Sequence, residues 1–160
     1  MELVECRPVE WAQRFQGLVG EVRKLVGDEV RIEHIGSTAV PDLPSKDVVD
    51  VLVGVAPGHV ASVGNRLLVG GFVLEGQREG HEWLTRRKSG RRVCVIHVVE
   101  SDSRQWLRRI AFRDLLRRDA DARAEYLQTK RAAQAETSGW NDYTHAKTAT
   151  VHRLLRTRST

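Results

Sequence analysis

The sequence predicts an α+β fold: a small mixed, twisted β-sheet flanked by helices, with a helical C-terminal part. Three observations carry this expectation. A stretch with helical spacing precedes two strand-like runs, strand-like segments separated by glycine turns fill the middle, and from Asp102 onward the spacing is helical. At 160 residues the chain has room for one core, so a single domain over residues 1–160 is expected.

Residues 8–27 open the order. Trp11, Phe15, Leu18, Val22 and Leu25 recur at helical spacing, and Pro8 is tolerated in a first helical turn. Residues 29–36 then alternate. Val30, Ile32, His34 and Gly36 share one face and Arg31, Glu33 and Ile35 the other, which makes a short strand ending at Gly36. Two prolines in 37-STAVPDLPS-45 forbid regular structure there. The run 48-VVDVLVGV-55 reads as a strand buried on both faces and is closed by Pro57-Gly58.

A helix over residues 59–69 ends at Gly70-Gly71. Segments 72-FVLEG-76, 81-HEWLTRRK-88 and 92-RVCVIHVVE-100 are strands, the last two forming a hairpin around Ser89-Gly90. Helices follow over residues 103–118, 121–136 and 142–156, with Thr137-Ser138-Gly139 breaking the run. In this order the helices are expected to cover one face of the sheet.

Composition narrows the function. With 41% hydrophobic and 29% charged residues the chain is globular, not disordered. No apolar run approaches the roughly 20 residues that cross a bilayer, and the N-terminus MELVECRPVEW lacks a secretory pattern, so a cytoplasmic protein with no membrane partner is expected. Cys6 and Cys94 belong to no CxxC or Cys/His cluster and are expected as two buried or half-buried thiols. The net charge of +5 suits a nucleotide or another phosphorylated small molecule. Nucleic acid is not the expected partner: the basic residues are scattered along the chain, and at 6% aromatic residues stacking platforms are sparse.

The stretch 33-EHIGSTAVPDLPSKDVVDVLVGV-55, together with 104-RQWLRRIAFRDLLR-117, 123-RAEYLQTKR-131 and 143-YTHAK-147, resembles the GrpB family of small bacterial proteins over nearly the whole chain. IEHIGSTAVP followed by K-x-x-x-D is the most specific part. The resemblance implies a polymerase-β-like nucleotidyltransferase fold. In active members of that superfamily a Gly-Ser turn holds nucleotide phosphates. Two carboxylates two residues apart on the next strand, with a third from a neighbouring strand, hold two metal ions, because side chains at i and i+2 share one face. The family is also found fused to dephospho-coenzyme A kinase, which keeps a coenzyme A-related ligand in view.

Gly36, Ser37 and Thr38 supply the turn: glycine lets backbone N–H groups approach an anion, and a hydroxyl donates. Asp50 stands at the expected distance beyond it, but its i+2 neighbour is Leu52 and Asp47 points to the opposite face, so the two-carboxylate clamp is incomplete. Asp50 and His97 are the candidate catalytic residues. His34, Asp50 and His97 form a candidate set of two nitrogens and one oxygen for a divalent metal, magnesium or manganese, with zinc also suited to such donors. Glu33 and Glu100 reach the site only if a bulge inverts strand parity.

Lys46 and Arg86 are candidate phosphate contacts, with Arg87 and Lys88 at the hairpin tip. Tyr143 and Lys147, four apart on one helix face, match family positions and are candidates for a ligand's base or phosphates; core packing by Tyr143 is the alternative. Arg113 and Asp114 form a candidate structural pair. Three functions remain open from sequence: nucleotidyl transfer to a small-molecule acceptor, a noncatalytic nucleotide- or coenzyme A-related binding module, and a mononuclear metal enzyme built on His34, Asp50 and His97.

Overall fold

A computed structural model describes residues 3–136 and 140–158, with side chains through residue 134 and again from residue 148. The elements run in the order α1 (Pro8–Val26), β1 (Arg31–Ile35), a 3-10 turn (Ser37–Ala39), β2 (Val49–Val55), α2 (Val60–Val69), β3 (Val73–Arg78), β4 (His81–Lys88), β5 (Arg91–Glu100), α3 (Arg104–Arg118), α4 (Ala120–Glu136) and α5 (Trp140–Arg158). The fold is α+β, as the sequence predicts, and the middle segments form two successive hairpins, β3–β4 and β4–β5.

The five strands lie in the order β1-β2-β5-β4-β3. β2 and β5 run parallel, whereas β1 with β2, β5 with β4 and β4 with β3 are antiparallel. The chain leaves β2 through α2 and the β3–β4 hairpin and returns as β5 beside β2, which makes the sheet mixed.

Helices cover both faces, not one. On the first face Val49, Val51, Val53 and Val55 of β2 and Cys94, Ile96 and Val98 of β5 pack against Trp11, Val22 and Val26 of α1 and Val63 and Leu67 of α2. On the second, Ile35, Leu52 and Val99 lie under Trp106 of α3. The physical reason is that β2 carries apolar side chains on both faces, Val49, Val51, Val53 and Val55 on one and Leu52 on the other, and such a strand needs cover on both. Gly54 permits that cover, because a Cβ there would stand 2.6 Å from the Trp106 ring. Leu115, Leu116, Ala122, Tyr126 and Leu154 then bind α3, α4 and α5 into a second core, joined by Val40 and Leu43 from the loop before β2.

Asp47 turns to the α1 face as its parity requires, where it accepts a 3.0 Å bond from Trp11 Nε1 and pairs with Arg14. Cys94 is buried, Cys6 is half-buried, and both are free thiols. Among the described residues no helix is long and apolar enough to cross a membrane.

Candidate functional site

Strand register builds the site. Ile35 stands opposite Asp50 and Leu52 opposite His97, so Glu33, Ile35, Asp50, Leu52, Val95 and His97 share the face covered by α3. Asp50 Oδ1 and His97 Nε2 come within 3.8 Å there. His34 stands opposite Val51 and therefore points the other way. Its ring stacks on Phe15 of α1 at a centroid distance of 4.7 Å and 7° from parallel, and its Nε2 lies 3.0 Å from the buried Thr38 hydroxyl. Burial lowers its pKa to about 4. The three-ligand centre His34–Asp50–His97 is therefore not assembled, and among the described residues no group of three or more His, Cys, Asp or Glu side chains is placed to hold a metal ion.

His97 instead heads a chain of polar contacts along the sheet. Its Nδ1 is 3.0 Å from Nε2 of the buried His81, and His81 Nδ1 accepts a 3.1 Å bond from Arg78 Nε. Burial, followed by the charges of His97, Arg109 and Arg78, lowers the His81 pKa to about 2. Burial likewise lowers that of His97, against the opposing pull of the nearby Asp50 carboxylate. Both rings are neutral at physiological pH.

Asp50 and His97 open into a cleft of about 720 Å³ between the sheet and α3. Gly36 and Ser37 line one wall. Arg78, Arg104, Arg108, Arg109 and Arg113 project into it, and Phe112, Leu116, Tyr126 and Val151 supply apolar surface. The arginines of α3 fall at i, i+4, i+5 and i+9, two i, i+4 pairs that together span about half of the helix circumference. Arg113 is committed: its guanidinium donates to Glu33 at 2.6 Å, to Asp114 at 2.8 Å and to the His34 carbonyl at 3.2 Å. Among the described residues no carboxylate lies within salt-bridge distance of Arg78, Arg104, Arg108 or Arg109. Burial and then the charges of Arg78 and Arg108 lower the Arg109 pKa to about 10, and burial with Arg104 and Arg78 lowers that of Arg108. These guanidiniums disfavour one another's charge, which an anion among them would relieve.

Several sequence expectations change. Arg86 is a strut, not a cleft residue: it sits opposite Cys94 on the α1 face, donates to Glu21 at 2.8 and 2.6 Å and to the Gly70 carbonyl at 3.0 Å, and lies 3.9 Å over the Phe72 ring. Thr38 is buried and turned to His34, so Gly36 and Ser37 alone face the cleft from that turn. Lys46 lies in the loop ahead of β2, half-buried and outside the cleft lining. Glu33 needs no bulge to reach the Asp50 face, yet Arg113 holds it; Glu100 accepts from the Gly58 amide at 2.9 Å. Tyr143 and Lys147 belong to α5, but their side chains lie outside the described residues.

The sequence reading missed Arg78, His81, Arg104, Arg108 and Arg109. Charge scattered along the chain is gathered in space. The i, i+4 pairs Arg104–Arg108 and Arg109–Arg113 were a usable signal; for Arg78, on β3, no local pattern was.

The architecture is nucleotidyltransferase-like: the crystal structure of the Cid1 poly(U) polymerase with Mg 3'-dATP bound superposes with a TM-score of 0.58 at 16% identity, over 89% of this chain and 49% of that one. The chain belongs to the GrpB family, whose sequence model, described as GrpB protein, matches residues 1–157. A UPF0157 protein of Deinococcus radiodurans is 40% identical over 157 residues, covering 98% of this chain and 81% of that one. The crystal structure of the conserved protein GrpB from Enterococcus faecalis matches with a TM-score of 0.76 at 24% identity, over 95% and 98% of the two chains.

The donor set does not fit the two-metal clamp that the resemblance to nucleotidyltransferases implies. Leu52, where the second carboxylate would stand, is fully buried under Trp106, and the neighbouring strand presents His97.

Proposed function

We propose that this protein binds a nucleotide or another phosphorylated small molecule in the cleft between Gly36-Ser37 and α3, with Arg104, Arg108 and Arg109 contacting its phosphates. The observation that carries this reading is that Arg104, Arg108 and Arg109, which have no carboxylate partner among the described residues, line one cleft. Guanidinium forks match phosphate oxygens, and charge-assisted bonds of this kind are the strong ones. The cleft volume of about 720 Å³ lies in the range of small-ligand pockets. Phe112 and Tyr126 offer apolar contact to a nucleoside beside the phosphate site.

A second reading, nucleotidyl transfer to a small-molecule acceptor, draws on the position of Asp50 beside the Gly36-Ser37 turn. The two readings differ in their dependence on metal. Calorimetric titration with ATP, CTP, GTP, UTP and inorganic triphosphate, with and without magnesium or manganese, separates them. Binding that persists without metal supports the anion site. Binding that appears only with metal supports transfer, and no binding under any condition removes both.

A further inference from the structure

We propose that Arg78 and His81 are positioning residues that hold the proton of His97 on Nε2, so that this ring presents a hydrogen-bond donor to the cleft and not a lone pair to a metal ion. The direction of the chain follows from its far end. A guanidinium donates and never accepts, so Arg78 Nε at 3.1 Å requires a bare Nδ1 on His81. A neutral His81 then carries its proton on Nε2 and donates it across 3.0 Å to Nδ1 of His97. A neutral His97, accepting at Nδ1, must carry its own proton on Nε2, the atom 3.8 Å from Asp50 Oδ1.

Metal-binding histidines have the opposite polarity: the ring nitrogen away from the metal donates its N–H to a carboxylate or carbonyl, which leaves the ligating nitrogen bare. Here that distal nitrogen accepts. Ligation through His97 Nε2 would move its proton to Nδ1, force the His81 proton onto Nδ1, and set that N–H against the Arg78 N–H. Two donors would face each other at a half-buried contact. The inference extends the anion reading, because it gives the cleft a neutral donor beside its guanidiniums. Its test uses the ligand-free protein, so it stands or falls separately from nucleotide binding.

Long-range ¹H–¹⁵N correlation spectra of the labelled protein assign the tautomers, and zinc chloride titration reads the consequence. The Nε2–H form is expected for both His81 and His97, and zinc at one equivalent leaves the His97 ring signals in place. Arg78→Met, at a surface position and so compatible with folding, should move those signals and raise zinc affinity at His97 by at least about tenfold, the scale of outer-sphere control of ligands. Arg78→Lys keeps a donor and should resemble wild type. An Nδ1–H tautomer on His97 in the wild type, or equal zinc affinity at His97 in wild type and Arg78→Met, overturns the proposal. So does a zinc response in Arg78→Lys equal to that of Arg78→Met.

Discussion

The carboxylate of Asp50 rests on the backbone of Gly36. Ile35 pairs with Asp50 across β1 and β2, so the strand ends in a turn directly over the aspartate. Gly36 has φ +71°, and a Cβ there would stand 2.9 Å from Asp50 Cβ and Cγ and closer still to Oδ2. The glycine is needed twice, for its backbone region and for the space the carboxylate fills.

Gly36→Ala is therefore expected to lower stability by about 1–3 kcal/mol, from left-handed strain and the clash with Asp50 together. Urea denaturation checks this. Nucleotide affinity should fall as well, since the turn that carries Ser37 has to shift. Wild-type stability would contradict the close packing.

Arg104→Gln and Arg108→Gln remove charges that have no carboxylate partner among the described residues, so neither should destabilise the fold. Each is expected to weaken nucleotide binding about tenfold, the low end for a charge-assisted bond at a partly solvated site. Calorimetry of the single and double variants measures both. Unchanged affinity in the double variant would remove α3 from the site.

Asp50→Asn gives an effect whose sign is diagnostic. In an anion site without a resident metal, Asp50 repels the incoming phosphates, so the neutral isostere should tighten metal-free binding by a few-fold. A carboxylate whose task is to hold a divalent ion gives the reverse, loss of metal-dependent binding in the variant.

Stability should fall as pH drops from about 6.5 to 5. His34, His81 and His97 all have folded pKa values depressed below the ordinary 6.5, chiefly by burial. In this window the unfolded chain binds protons that the folded chain does not, so unfolding free energy rises with pH and is fully present above 6.5. Glu21 and Asp47, whose pKa values are depressed below 4.5 and 3.8, lose their contributions only at lower pH, whereas Glu82, raised above 4.5 by burial, acts with the opposite sign at the acid end of the window. His34→Phe keeps an aromatic ring against Phe15 and should reduce the slope by about one proton. Equal slopes in urea unfolding at pH 7.5, 6.0 and 5.0 would contradict this.

The elements were legible because their periods are local. The alternation at Asp47 and Asp50 correctly sent the two carboxylates to opposite faces. Relations between strands were not legible. Parity within β1 groups His34 with Ile32, but only the cross-strand register shows that Ile35, not His34, stands with Asp50. The same gap misplaced Arg86, whose neighbours Glu21 and Phe72 come from other elements. His81 lay unnoticed at the start of β4, because its meaning depends on pairing with Val99 beside His97. Gly36, Ser37 and Asp50, which line the cleft, stand out in the sequence, whereas the cluster of arginines opposite them is a property of α3 lying over the sheet.

Amide and side-chain ¹H–¹⁵N spectra recorded during titration with ATP in the absence of metal test the central claim most directly. The anion cleft is expected to shift together: Gly36 and Ser37 amides, the Nε groups of Arg104, Arg108 and Arg109, and the His97 ring, with Arg86 and Glu21 on the opposite face unmoved. Shifts confined to the exposed hairpin tip at Arg87, Lys88 and Arg91, or no shifts at millimolar ATP, would contradict it.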